Sequence, residues 1–281
     1  MSYKDILVYL DDSESCRGRI ETALKLAEAH QAHLVGLALA VEPTIPAYIG
    51  AELPVEVRDI QRKAAIDRAK AQTEMFEQLA GKEGVSSESR IVNCYESTAG
   101  DTLSFHARHA DLVVMGQADP DSHFATLTSS MAEEVLFSSG RPIYLVPYIG
   151  MKNSITGKAI IAWDGGREST RAVHDALPIL AGMDEVVVLV VDAGRHARAH
   201  GAEPGADLAT HIARHGINVR VDRVQSAGID IAEVILNAIA ENGANLLIMG
   251  GYGHSRLREM TLGGVTHTIL KEMTAPVLMS H

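Results

Sequence analysis

An internal repeat constrains the fold of this chain more than any other feature of its sequence. Met115-Gly116 and Met249-Gly250 are 134 residues apart, and Arg141-Pro142 and Ala275-Pro276 are separated by the same 134 residues without a gap. The chain has 281 residues, which is enough for about two domains of ordinary size. A repeat at this spacing therefore predicts one domain present twice.

The two copies also begin alike, because Ile6–Asp11 resembles Ala159–Asp164 at an offset of 153 residues. The difference between 153 and 134 gives the first copy 19 extra residues, which we place within Glu42–Glu83. We predict domains over 1–147 and 158–281, joined by a linker over 148–157 that is rich in Gly, Ser and Asn.

Each copy reads as strands alternating with helices. Continuous Val, Ile and Leu strands predict a parallel sheet covered on both faces, which is a doubly wound α/β domain, twice. The predicted strands are Asp5–Leu10, His33–Val41, Glu88–Asn93, Asp111–Gly116, Ile143–Val146, Ala159–Trp163, Glu185–Asp192, Asn218–Val224, Leu246–Met249 and Pro276–Met279. The predicted helices are Ser13–His30, Val57–Glu83, Ala99–His109, Ser129–Ser138, Ser169–Ala181, Gly205–His215, Asp230–Asn242 and Gly264–Met273.

Composition narrows the classes of function. With 36 acidic and 25 basic residues the net charge is −11, which argues against a general nucleic-acid-binding surface. Two cysteines, Cys16 and Cys94, provide no disulfide framework. No apolar run approaches the roughly 18 residues of a membrane span, and the first residues lack a signal-peptide pattern. We therefore expect a cytoplasmic protein that binds neither nucleic acid nor membranes.

The most specific motif of the chain is a set of glycines in the second copy. Gly250-x2-Gly253-x9-Gly263-Gly264 follows the strand LLIM and precedes a helix that starts at Val265. Glycine permits positive φ and a close approach of ligand, and a helix N-terminus favours an anion. The motif predicts a nucleotide's phosphates at the carboxyl ends of the strands, although glycines that only form turns are the alternative reading.

With these glycines, the Asp that closes the first strand and the Pro-Val before the last strand, the sequence resembles the universal stress proteins in their tandem two-domain form. The family signature Gly-x2-Gly-x9-Gly-(Ser/Thr) is matched except at Gly264. The resemblance covers nearly the whole chain. It implies an adenine-nucleotide alpha-hydrolase-like sheet of order 3-2-1-4-5 and, in one branch of the family, binding of ATP, with Mg²⁺ as a further candidate ligand.

The resemblance also implies how the copies meet. The fifth strands, Ile143–Val146 and Val277–Met279, are expected to pair antiparallel, so that the domains form an intramolecular pseudo-dimer and cover a sticky edge. Whether two chains associate further as a homodimer stays open.

Site residues are carried over from the family by position. Asp164 matches the aspartate at the adenosine end, Val190 matches the residue against the adenine, and Met249 and Gly250 lie beside the ribose and phosphates. The phosphate-cradling positions are Gly253, Gly263, Gly264, Val265 and Thr266, and Arg256 is within reach of a phosphate. The hydroxyl absent at Gly264 is worth roughly 0.5–1.5 kcal/mol, so we expect weakened binding that the Thr266 hydroxyl offsets.

The first copy departs from this motif. Gly116 is kept, but Asp119 stands where the second copy has Gly253, and Ser129 stands for Gly263. Because a carboxylate repels phosphate, we predict a degenerate site that is empty or takes a ligand other than ATP. Weak binding, with Asp119 turned to solvent, is the alternative. The Asp11-Asp12-Ser13 segment is also compatible with an ordinary helix cap.

We predict no catalytic residues, since GxxxxGK[ST], HExxH and GxSxG motifs are all missing. The leading hypothesis is a stress-response regulatory protein that binds ATP in its C-terminal domain and is at most a slow ATPase. A stress interaction or scaffold module without nucleotide is the alternative. A distant third is a zinc-binding protein, because i,i+4 histidine pairs occur twice among many arginines. These weak metal candidates are His196, His200, His211 and His215.

Overall fold

The computed structural model describes residues 2–45, 54–122, 125–149, 155–196, 203–251 and 264–281. The chain divides into two compact units, Ser2–Ser139 and Gly140–His281, called the first and the second unit below.

In the described residues of the first unit, four strands alternate with four helices. In chain order they are β1 (Asp5–Leu10), α1 (Cys16–His30), β2 (His33–Glu42), α2 (Val55–Glu83), β3 (Ser87–Tyr95), α3 (Ala99–Ala107), β4 (Leu112–Gly116) and α4 (Ala125–Ser138). A single 3₁₀ turn, Glu96–Thr98, precedes α3. The strands lie in the order β3-β2-β1-β4, and all of them are parallel.

The second unit begins with the strand that ends the first sequence copy. Its elements are β5 (Ile143–Val146), β6 (Lys158–Ala162), α5 (Arg167–Leu180), β7 (Glu185–Val191), α6 (Ala206–Arg214), β8 (Val219–Val224), α7 (Ile231–Asn242), β9 (Leu246–Gly250), α8 (Val265–Glu272) and β10 (Val277–Ser280). The strands lie in the order β8-β7-β6-β9-β10-β5.

Strand order and pairing confirm the expected fold class. The five strands of the second copy follow the predicted order 3-2-1-4-5, and those of the first unit follow 3-2-1-4. The predicted antiparallel pair is also present: Val277 lies opposite Leu145, and Met279 lies opposite Ile143. The fifth strand of the first copy therefore belongs to the compact second unit.

The central strands are buried on both faces, as their apolar runs predict. Every residue of β4 is buried, and β1 is buried from Ile6 to Leu10. Helices cover these strands from above and below, so no polar residue is needed at alternate positions. The described helices include none that is long and apolar enough to cross a membrane.

Both cysteines are free thiols, and burial makes them poor nucleophiles. Cys16 is fully buried near the start of α1, and burial raises the pKa of its thiol. Cys94 lies inside β3 and not after the predicted strand, because β3 continues to Tyr95. Burial, followed by the charge of Glu42, raises the pKa of Cys94 to about 11.

Candidate functional site

The predicted site lies at the carboxyl end of β6, the strand whose two neighbours in the sheet are β7 and β9. From β6 the chain runs through α5 to β7 on one side, and β9 is the neighbour of β6 on the other side. Ala162 is in register with Met249, so the residues that follow β6 come close to the end of β9. A point of this kind, outside the carboxyl ends of parallel strands, is where open α/β sheets bind ligands.

Asp164 follows β6 and presents an exposed carboxylate at this point. Its Oδ1 accepts hydrogen bonds from the backbone N–H of Gly166 at 2.7 Å and from the Ser169 hydroxyl at 2.6 Å. Its Oδ2 has no hydrogen-bond partner among the described residues. One half of the carboxylate thus orients the side chain, and the other half remains available to an external donor.

Gly250 ends β9 against the first turn of α5. A Cβ built on Gly250 would lie 2.5 Å from the backbone nitrogen of Ser169 and 2.6 Å from the carbonyl carbon of Glu168. Since no side chain fits there, glycine is required for the two backbones to approach. Met249, one residue earlier, is 5 % exposed.

The helix that follows the glycine motif starts at Val265. Gly264 is its N-cap residue, with φ −59° and ψ 155°, and as a glycine it has no side chain that could cap the helix. The N-terminus of a helix favours an anion such as a phosphate. Thr266 is buried, and Val265 is half-buried. Gly253, Arg256 and Gly263 lie outside the described residues, so their predicted roles stay predictions.

Val190 is fully buried in β7 and lies beneath the N-cap residue of α6. That residue, Gly205, has φ +82°, and a Cβ built on it would lie 3.1 Å from Cγ2 of Val190. The predicted contact between Val190 and an adenine ring therefore stays a prediction.

The four zinc candidates do not all fall in described structure. His211 lies in α6, and His215 follows it directly as the C-cap residue. His196 ends a 3₁₀ turn with an undescribed side chain, and His200 lies in an undescribed segment. Within the described residues no group of three His, Cys, Asp or Glu side chains is arranged to hold a metal ion. Instead His211 packs against His174, a ring that sequence reasoning missed.

In the first unit the matching aspartate, Asp11, has different hydrogen-bond partners. Asp11 Oδ1 accepts hydrogen bonds from the backbone and hydroxyl of Ser13, and from Nη2 of Arg19 at 2.6 Å. Arg19 is 1 % exposed, and its Nη1 occupies the space that a Cβ on Gly116 would fill. Burial alone raises the pKa of Asp11, but the charge and hydrogen bond of Arg19 outweigh it and hold this pKa below its usual value.

The loop after β4 in the first unit also satisfies its own N–H groups. Asp119 Oδ1 accepts from the backbone N–H of Asp121 at 3.0 Å, and the Asp119 carbonyl accepts from that of Ser122 at 3.0 Å. Two backbone N–H groups of this loop are thus already bonded within it. A cleft remains beside it, with about 630 Å³ of empty space that includes its solvent-open part.

Comparison with known proteins identifies the family. The universal stress protein family model matches residues 2–147 and 156–281. No curated protein matches the sequence. A universal stress protein from Archaeoglobus fulgidus is similar at a TM-score of 0.75 and 17 % identity, covering 98 % of this chain and 95 % of that chain. A functionally unknown protein from Pseudomonas aeruginosa PAO1 is similar at a TM-score of 0.58 and 14 % identity, covering 99 % and 92 %.

At such identities the structural likeness establishes the fold alone, whereas the family model covers almost all of the sequence. Together with the repeated strand order, it places two domains of one kind in tandem. The chain therefore belongs to the universal stress protein family.

Proposed function

We propose that the second unit binds an adenine nucleotide, ATP with Mg²⁺ in the first place, as a regulatory ligand at the carboxyl ends of β6 and β9. The observation that carries the proposal is Oδ2 of Asp164, which has no hydrogen-bond partner among the described residues and lies at the carboxyl ends of β6 and β9. A carboxylate in this position accepts an N–H or hydroxyl of a nucleoside, and the positive end of the α8 dipole favours its phosphates.

The residues present fit such a ligand. Gly250 lets the end of β9 approach the first turn of α5 closely, and Ser169 fixes the Asp164 carboxylate in one orientation. The first unit offers the opposite conditions, because Arg19 binds the matching carboxylate and Asp119 occupies the loop. We therefore assign the nucleotide to the second unit only.

Equilibrium titration of the purified full chain with MgATP tests the assignment. Asp164→Ala removes a hydrogen bond from a charged acceptor, worth about 1.5–3 kcal/mol, so affinity should fall about 10- to 150-fold. Gly253→Asp copies Asp119 and should nearly abolish binding through repulsion of the phosphates. Asp119→Ala is the matched control and should leave the affinity unchanged.

The second candidate is an interaction module whose nucleotide site has decayed. Gly264 favours it, since the N-cap of α8 has no side-chain hydrogen bond where the family places a hydroxyl. Failure of wild-type protein to bind MgATP at millimolar concentration would reject the first proposal and leave this one. Binding that Asp119→Ala weakens and Asp164→Ala does not would move the site to the first unit.

A further inference from the structure

Three imidazole rings meet on the surface of the second unit. His174 lies on α5, His211 on α6, and His215 directly after α6. The ring centroids of His174 and His211 are 5.3 Å apart, and the rings are stacked with an interplanar angle of 27°. The centroids of His211 and His215 are 4.9 Å apart in an edge arrangement. His211 thus has an imidazole neighbour on each of two sides.

The surroundings of His211 favour its uncharged form. Its Nε2 is buried and has no hydrogen-bond partner. Burial, followed by the positive charge of His215, His174 and Arg214, lowers the pKa of His211. An uncharged ring packs in this position, whereas a charged ring would hold an unpaired proton between other cations.

No described carboxylate offsets this charge, because none of the three histidines forms an ion pair with a described residue. The carboxylates nearby are engaged elsewhere or exposed: Asp175 pairs with Arg171, Asp222 with Arg220, and Asp207 is exposed one turn before His211. The other charged groups on the packed elements are Arg167, Glu168, Glu185, Arg214 and Arg223. Glu185 pairs with Lys158 and Arg220, and Arg223 pairs with Glu203.

The helix that carries His211 is short and weakly anchored. α6 has nine residues, of which Leu208 and Ile212 are buried. Its N-cap residue Gly205 covers β7 and β8, since a Cβ there would lie 3.0 to 3.4 Å from Val221, Val190 and Val188. Segments with few buried apolar contacts open at low cost, so repulsion between rings acts on an element that is easily detached.

We propose that His174, His211 and His215 form an acid-sensitive latch, in which the uncharged ring of His211 holds α6 on β7 and β8 and its protonation between the other two rings releases the helix. Release would uncover Val188, Val190 and Val221 for a partner or for rearrangement. The direction follows from linkage: His211 binds its proton at lower pH in the folded state than in the unfolded state. Its contribution to stability is therefore present above pH ~6.5 and is lost as the pH falls below that value.

Hydrogen–deuterium exchange of the full chain at pH 7.5 and pH 5.5, corrected for intrinsic exchange, tests the latch. The protection of the α6 amides should fall by more than about threefold, because the pKa of His211 is lowered in the folded state and the opened state therefore binds its proton more readily. α7 has no histidine and should change by less than about twofold, which makes it the internal reference.

The double variant His174→Gln/His215→Gln removes both neighbours of His211. Both side chains are exposed, so folding should be retained. Its α6 protection should change by less than about threefold over the same interval, and the pKa of His211 measured by NMR should rise. His267→Gln, at an exposed position on α8, is the matched control and should behave as wild type.

Two results would overturn the latch. In one, wild-type α6 is equally protected at both pH values. In the other, the double variant loses as much protection as the wild type, or the pKa of His211 does not change in it.

Discussion

The carboxyl ends of β1 and β6 are the same place in two copies of one domain, and the two aspartates there have different partners. Asp11 is held by the buried guanidinium of Arg19, and Asp164 is held by Ser169 with one oxygen left free. At the offset of 153 residues Arg19 corresponds to Ala172, a small buried residue. In the first unit the Arg19 guanidinium thus neutralises the aspartate, whereas in the second unit the Asp164 carboxylate is exposed.

The copies therefore differ in an internal ion pair as well as in the glycine motif, because Arg19 neutralises the aspartate of the first unit. Burying an ion pair costs desolvation, and the Nε of Arg19 has no hydrogen-bond partner. Removing either member therefore leaves the other charge buried without a partner, which destabilises the fold. Single substitutions at the carboxyl ends of β1 and β6 and in the helices beside them test this difference between the copies.

The largest effect is expected from Arg19→Ala, which gives the first unit the residue found at Ala172. It leaves the carboxylate of Asp11 without its cation and should cost about 3–5 kcal/mol of the free energy of unfolding. Chemical denaturation followed by hydrogen exchange in β1 measures this cost. Arg17→Ala is the matched control, because it removes an exposed ion pair with Glu21 worth less than about 1 kcal/mol. Equal losses in the free energy of unfolding for Arg19→Ala and Arg17→Ala would show that the buried ion pair contributes no more than the exposed one.

The next effect separates the two glycines that end β4 and β9. In Gly250→Ala the new methyl group meets backbone atoms of α5, and in Gly116→Ala it meets the end of the Arg19 side chain. Backbone yields less readily than a side chain, so we expect Gly250→Ala to cost about 2–3 kcal/mol and Gly116→Ala about 1 kcal/mol. Thermal unfolding measures both variants, and the reverse ranking would show that the Arg19 pair is the more rigid of the two.

A pH titration of stability tests the ion pair between Asp11 and Arg19. The folded-state pKa of Asp11 lies below its ordinary value of 3.8, so its contribution to stability is present above that pH. It is lost as the pH falls through the folded pKa, and it amounts to about 1.4 kcal/mol for every pH unit that separates the folded pKa from the unfolded one. Asp11→Asn should flatten the acid side of the stability profile between about pH 5 and pH 2. An unchanged slope would mean that Arg19 does not lower the pKa of Asp11.

The smallest effect compares the matching helices α7 and α3. Asp230 caps α7 by accepting the backbone N–H of Ala232 at 2.7 Å, whereas Thr98 makes no side-chain cap to α3. Asp230→Ala should cost about 1 kcal/mol and Thr98→Ala less than about 0.5 kcal/mol. Denaturant midpoints at constant m-value measure the pair, and equal costs would remove the cap as a difference between the copies.

The sequence alone predicts the strands and their order well, because continuous apolar runs such as Val186–Val191 have few other solutions. The β1 and β5 strands have the predicted bounds. Arg19 was missed, since an arginine on a helix normally lies on the surface. Its position between Cys16 and Ile20, on the apolar face of α1, was the available signal. His174 was missed because it is 37 residues from His211, and only folding brings α5 beside α6.

The placement of β5 has a consequence for how this chain can be divided into fragments. Its residues belong to the first repeat by sequence, but its hydrogen bonds with β10 belong to the second compact unit. The second repeat is thus paired with a strand encoded in the first. A fragment that starts at the repeat boundary would lack the strand that covers the edge of β10, whereas one that starts at Gly140 would keep it. The sequence repeat and the compact units therefore divide this polypeptide at two different places.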